Sequence, residues 1–332
     1  MSRKNKQVTL TPDAAVKRIL SLLQGCDGYS LIDAFRLFIE AANLCIDDLP
    51  AHFHRAVNRE PLINSPDELA RWNEAGLNQI SPDCYRRFCE AFAILLESTV
   101  DEAGLLTYVD VVGRVYIEII GGSRWNGDEF YTPECVAEVM ARLTIGNLES
   151  EFFRRCKEAC ESDPILEAIM FAAGITAMAF DAHEESTAKD CWFYFGHHVW
   201  PFLKERIKPF TICDPAVGSG VLLLRAAKVV PRWLIDIGWV QFYGQDLRLL
   251  PIRMCQLNLK LYGIPPVLIK PADLLTAAEL ASLPSPHREI YTTLQTHAAA
   301  GVDNAVEIAE VRLQHSQLSL FSEASDSTEA HQ

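Results

Sequence analysis

From residue 210 onward the hydrophobic period of the chain changes, and this change constrains its fold more than any other feature. "FTIC", "VQFYG" and "PVLIK" are short β-favouring runs, and the first two are followed by helical patterns, "GVLLLRAAKVV" and "LLPIRMCQLNLKLYG". Strands alternating with helices predict a parallel sheet with crossover helices, hence an α/β fold. The first crossover, "FTICDPAVGSGVLLL" at 210–224, is the sharpest: a strand runs into Asp214-Pro215, glycines stand at 218 and 220, and an apolar helix begins at Val221. A D-P-x-x-G-x-G turn lets backbone approach a ligand, and the helix N-terminus offers N–H groups to a carboxylate or phosphate. It is not G-x-G-x-x-G, and no G-K-S or G-K-T follows, so dinucleotide and P-loop readings are weak. An ordinary tight strand-to-helix turn is the plainer alternative.

Upstream the pattern is helical. "DAAVKRILSLLQ", "SLIDAFRLFIEAANLCI", "PDELARWNEA" and "PDCYRRFCEAFAILLESTVDE" carry apolar residues at three and four spacing, with Asp, Ser or Pro near their starts. "LLTYVDVVGRVYIEIIGG" is ambiguous between helix and strand, and its length favours a helix ended by Gly121-Gly122. In "DEFYTPECVAEVMARL" the expected N-cap is Thr132, with Pro133 at the first helical position and Glu134 in the first turn. More helical patterns fill 147–206. The expected layout is a helical domain at 1–120, an α/β domain at 121–276 with a helical insertion at 147–206, and a helix plus flexible acidic tail at 277–332.

Composition narrows the class. With 332 residues and 49% hydrophobic content the chain can fill a sizeable core. Ten cysteines without C-x-x-C pairs point to reduced thiols and a cytoplasmic location rather than a disulfide framework. The start has a basic cluster but no apolar segment after it, so a soluble, unexported chain with no membrane partner is expected. A net charge of −14 argues against a chain that coats phosphate backbones by itself, so DNA contact would be local, indirect or shared with a partner. Part of that acidity lies in the tail, where Asp303, Glu307, Glu310, Glu323, Asp326 and Glu329 face only Arg312.

"DPAVGSG" resembles the cofactor loop of the adenine-N6 DNA methylases, especially the modification subunits of type I restriction systems. "DVVGRVYIEIIGGSRWNGDEFYTPECVAEVM" resembles the same family's segment with an "FYTP" that closes over S-adenosylmethionine. The two blocks span roughly 109–146 and 209–276. The resemblance implies a partial Rossmann-like, S-adenosylmethionine-dependent methyltransferase domain behind the helical one. It places Glu129, Phe130, Tyr131, Thr132 and Pro133 along the methionine end of the cofactor, and Asp214, Gly218, Ser219 and Gly220 around its amino acid group. "FYGQDLRLLPIRMCQLNLKLYGI" resembles the family's next block, in which Asp246 ends the second strand, where a carboxylate can accept both ribose hydroxyls. Asp273 in "KPADLL" resembles the acidic residue that meets the adenine ring, although an Asp before a helix is often an N-cap.

The chain departs from the family where the methyl group is transferred. The family holds the target amine with N-P-P-F, N-P-P-Y or D-P-P-Y, and no such tetrad exists here. The one Pro-Pro, in Ile264-Pro265-Pro266-Val267, has neither the amide nor the ring. No catalytic residue is therefore assigned. Either a second methylase or specificity subunit supplies the rest, or the chain is a non-catalytic interaction protein on the same scaffold. Three strands would leave an edge open to another chain, unless 147–206 covers it.

"QLSLF" resembles the pentapeptide with which bacterial proteins dock on the DNA sliding clamp, with Gln317, Leu318, Leu320 and Phe321 as its contacts. The same residues could instead end an amphipathic helix folded back on the body. No metal site is assigned. Cys156 with Cys160, and Cys191 near His197-His198, read better as buried thiols and surface histidines. His52 and His54 flank Phe53 and suggest nothing further, and Arg124-Trp125 reads as a packed loop before it reads as a DNA contact.

Overall fold

The computed structural model describes residues 10–61, 63–121, 132–181, 194–246 and 248–271. Four helices lie where the sequence pattern expects them, each begun by a side-chain cap. Thr11 accepts from the Ala14 N–H ahead of α1 (Pro12–Gln24), and Ser30 from Asp33 N–H ahead of α2 (Leu31–Val57). Ser65 and Glu68 form a reciprocal capping box on α3 (Pro66–Glu74), and Ser81 caps α4 (Pro82–Glu97) through Cys84 N–H. Together with α5 (Val111–Ile119) they bury Ile19, Phe35, Phe38, Phe88 and Val115 in one core. The ambiguous stretch around 105–122 is thus a helix, followed by Gly121 at φ +87°.

Two helix ends differ from expectation. The pattern of α4 runs on to Glu102, but the helix stops at Glu97. There the Ser98 and Thr99 hydroxyls turn back onto the carbonyls of Leu95 and Leu96, and Val100 bridges to Leu106. Side-chain bonds of this kind compete with the helical ladder. Helix α6 (Glu134–Thr144) starts one residue later than Thr132 as N-cap would set it. Pro133 occupies the cap, its carbonyl opens the ladder to Val136 and Ala137, and no side chain caps the end. The Glu134 carboxylate, in the first turn, is held by Arg114 and Arg225.

The segment 147–206 contributes α7 (Leu148–Ser162), α8 (Pro164–Asp181), a π-helical turn at Phe195–Val199 and α9 (Trp200–Leu203). Phe152 of α7 packs among the rings of Trp200, Trp233 and Trp239, with centroids 5.1–6.1 Å away. Arg155 donates to the carbonyls of Lys208 and Pro209, just before the first strand. This helix therefore packs at the entry end of the sheet.

Strands β1 (Phe210–Asp214), β2 (Val240–Asp246) and β3 (Pro266–Pro271) form a parallel sheet with β2 in the centre, at the three positions expected from the sequence. Helices α10 (Val221–Val229) and α11 (Arg232–Asp236) cross from β1 to β2, and α12 (Leu249–Leu261) crosses from β2 to β3. The architecture is α/β, mostly helical with a small parallel sheet. Helix α12 serves two cores. Its Ile252, Cys255 and Leu259 pack in the sheet core with Phe242 and Leu224, while Met254 and Leu257 enter the helical core beside α2. Asn43 of α2 donates to the Arg253 carbonyl at 3.0 Å, and the Tyr262 hydroxyl accepts from Val109 N–H at 2.8 Å.

Candidate functional site

The turn 214–220 lies at the C-terminal end of β1, and its conformation is fixed from several sides. Gly218 and Gly220 sit at φ +53° and +90°, a region that other residues rarely adopt. A side chain at 220 would also bring a Cβ to 2.8 Å from the Cys255 sulfur, so only glycine lets α12 pack this close. The Val217 N–H donates to the Gln245 carbonyl at 2.8 Å, tying the turn to β2. Gly244 makes room for it, because a Cβ there would meet the Val217 side chain.

Two carboxylates flank this turn at the ends of adjacent strands. Asp246 accepts from the Gly218 N–H through Oδ2 and from the Arg248 N–H through Oδ1, both at 3.1 Å. Asp214 is buried; its Oδ1 accepts from the Ala216 N–H at 3.1 Å, while Oδ2 has no hydrogen-bond partner among the described residues. Burial pushes the Asp214 carboxyl up to about 6; the Asp246 charge adds to the rise and the Ala216 N–H opposes it. Beside the β2–α12 turn opens a cavity of about 340 Å³, walled by Arg36, Glu40 and Tyr116 on one side and Arg248 to Pro251 on the other.

Ser219 is buried between the two glycines of the turn. Its hydroxyl donates to Asp110, the N-cap of α5, and Asn258 of α12 donates both to Asp110 Oδ1 and to the Ser219 carbonyl at 2.7 Å. Burial pushes the Asp110 carboxyl up, against the lowering effect of its donors Ser219, Gly113 and Asn258. The end of the FYTP segment reaches the same place. Glu134, next to Thr132 and Pro133, accepts from Arg114 at 3.0 Å and pairs with the buried Arg225 of α10. Its other contact is the Asp110 N–H at 3.4 Å. Glu138, one turn on, pairs with Lys228 at 2.9 Å.

Of the residues singled out from the sequence, Thr132, Pro133, Asp214, Gly218, Ser219, Gly220 and Asp246 thus lie on elements that meet at the C-terminal end of the sheet. Glu129, Phe130, Tyr131, Asp273, Gln317, Leu318, Leu320 and Phe321 lie outside the described residues, as do Cys191 and Arg124-Trp125. Asp110, Gly113, Glu134, Arg225 and Asn258 were not assigned site roles from the sequence. Asp110 and Gly113 carried a signal, a capping residue followed three positions on by a glycine; Asn258 showed only as a polar residue in an apolar helix.

Among the described residues, one group of metal-ligating side chains comes together, Asp48, His52 and Glu68. Its carboxylates are already neutralised: Arg71 bonds Asp48 and Arg55 bonds Glu68 through both oxygens. No helix among the described residues is long and apolar enough to cross a membrane.

The sheet is parallel, its first turn is glycine-rich and carboxylates end its first two strands; in open α/β sheets the C-terminal ends of the strands are where ligands bind. Residues 178–282 match the family model described as N-6 DNA Methylase. The matched segment is about a third of the chain and runs from the end of α8 through β1, β2 and β3, so the likeness to that family rests on the α/β part. The match begins after the FYTP block. No curated protein and no solved structure matches the chain.

Proposed function

We propose that the chain is the S-adenosylmethionine-binding part of an adenine-N6 DNA methyltransferase, with a Rossmann-like domain built on β1–β3. The observation that carries this reading is the pair Asp214 and Asp246 on either side of the Gly218 turn, one of them with a buried oxygen that nothing among the described residues satisfies. The residues present fit the cofactor. The unpartnered Asp214 Oδ2 suits its α-ammonium, and the first-turn N–H groups of α10 suit its carboxylate. Asp246 ends the central strand, where a carboxylate suits the ribose hydroxyls. Beyond it, the cavity at Arg248–Pro251 supports the reading by giving a nucleoside room. When bound, the cofactor supplies an electrophilic methyl group. The protein residues hold it, orient it and exclude water around its polar ends.

With no N-P-P-F, N-P-P-Y or D-P-P-Y tetrad, the groups that orient a target amine come in this reading from a second methylase or specificity subunit of a restriction-modification system, which also shares the DNA contact. Titration calorimetry with S-adenosylhomocysteine tests the cofactor reading. Binding is expected, and Asp246→Ala should weaken it by about 2–3 kcal/mol, the worth of a pair of hydrogen bonds to a charged group. Absent binding, or an affinity unchanged by the substitution, refutes it.

A further inference from the structure

Asp110, Ser219 and Asn258 come from elements far apart in sequence and meet where water is excluded, with exposures of 5%, 1% and 1%. Asp110 caps α5 by accepting from the Gly113 N–H at 2.7 Å, and a cap of this kind needs only one side-chain oxygen at a solvated helix end. Here the residue is buried, and its second oxygen takes the Ser219 hydroxyl while Asn258 donates to the first. Burying a carboxylate is costly unless its oxygens are hydrogen-bonded, and here three donors on three elements meet Asp110. Asn258 also fixes the Ser219 carbonyl, so both the side chain and the backbone of this residue are gripped, between two glycines in the left-handed region. Gly113 is part of the arrangement, since a Cβ there would overlap the Asp110 carboxylate and the Ser219 hydroxyl.

We propose that Asp110 is a positioning residue for the cofactor turn: through Ser219 it sets the direction of the backbone from Gly218 to Gly220, and through its own N–H and Glu134 it registers the end of the FYTP segment to that turn. The proposal rests on the reading of the turn as an S-adenosylmethionine site. A turn with two glycines at positive φ has many accessible conformations, and an anchor outside it removes them before the ligand arrives.

The test uses the full chain with Asp110→Ser, Ser219→Ala and the double variant. Serine caps a helix about as well as aspartate but has a single oxygen, so Asp110→Ser keeps the cap and releases Ser219. Each single substitution should weaken S-adenosylhomocysteine binding at least tenfold in calorimetry, and the double variant no more than the stronger single. In the ligand-free protein, amide hydrogen exchange over 215–221 should accelerate at least tenfold while α1 and α2 exchange as in the wild type. Wild-type affinity and exchange in Asp110→Ser would overturn the proposal and leave Asp110 a helix cap. Additive losses in the double variant would overturn it as well, because Asp110 would then not act through Ser219. If Asp110→Ser does not fold, Ser219→Ala alone decides: faster exchange over 215–221 supports the anchor and unchanged exchange removes it. If the wild-type chain binds no S-adenosylhomocysteine, the cofactor reading fails, while the exchange comparison still decides whether Asp110 holds the turn.

Discussion

Replacing Asp214 with asparagine should make the ligand-free protein more stable at neutral pH and a poorer binder. The carboxyl is pushed up to about 6 in the folded chain from an ordinary value of 3.8, chiefly because it is buried, and its Oδ2 has no partner among the described residues. For a carboxyl whose pKa is raised on folding, the ionised form is disfavoured in the folded state. The penalty is therefore fully present above pH 6, falls as the pH drops through 6, and is gone below about 3.8. That rise corresponds to about 3 kcal/mol at pH 7. Asparagine stands in for the protonated acid: it keeps Oδ1 for the Ala216 N–H and carries no charge. Its unpartnered amide returns about 1–2 kcal/mol of the gain. Net stabilisation of about 1–2 kcal/mol at pH 7 is expected, a rise of a few degrees in Tm.

The pH dependence discriminates better than the sign at one pH. Urea denaturation of both proteins between pH 4 and 7.5 should show Asp214→Asn losing about 3 kcal/mol of its relative advantage as the pH falls, because the wild type sheds its penalty over that window. S-adenosylhomocysteine binding should move the opposite way. Its ammonium supplies the cation Asp214 lacks, so the variant should bind at least tenfold more weakly, and wild-type affinity should decline from pH 7 to pH 5. A stability difference that stays constant between pH 4 and 7 refutes the reasoning, since it would mean that Asp214 is not held ionised at an energetic cost.

Gly220→Ala should destabilise the chain by about 1–3 kcal/mol, because φ is +90° and the added Cβ meets the Cys255 sulfur at 2.8 Å. Adding Cys255→Ala should relieve the overlap but not the backbone strain, and full recovery in thermal melts would show the strain to be negligible. The purified chain alone, incubated with labelled S-adenosylmethionine and mixed-sequence DNA, should leave adenine unlabelled for want of groups that orient the amine; robust incorporation would mean that another residue completes the site. For the tail, Leu320→Ala with Phe321→Ala should abolish binding to a bacterial sliding clamp and leave Tm unchanged, since buried apolar anchors carry most of a small interface. A Tm lower by several degrees would instead make the pentapeptide part of the folded body.

What could be read in the sequence was local. The four early helices were legible from apolar spacing and from the Asp, Ser or Pro near their starts, because a cap and the amides it satisfies lie within three residues. The β1 turn was legible for a similar reason, since strand, Asp214, Gly218 and Gly220 lie within one crossover. Partners separated by long stretches of chain could not be read. Glu134 stands in the first turn of α6, where an acid is expected for the helix dipole, yet its partners are Arg114 and Arg225, 20 and 91 residues away. Asp110 and Asn258 are 148 positions apart, and no periodicity links a helix cap to a polar residue on a distant amphipathic helix.

The same long-range contacts bear on how the chain is divided. A boundary near residue 120 follows the change of composition, but Asp110 lies before it and holds Ser219 beyond it. Helix α12 faces both ways, with Cys255 against the Gly220 turn and Met254 and Leu257 in the core of α1–α5. Removing the helical region would uncover those two side chains and strip the turn of its buried carboxylate in the same step. The helical region is thus a structural part of the candidate cofactor site. A three-stranded sheet alone offers little area for burial, and α12, packed on both sides, supplies the rigid wall against which its first turn is set.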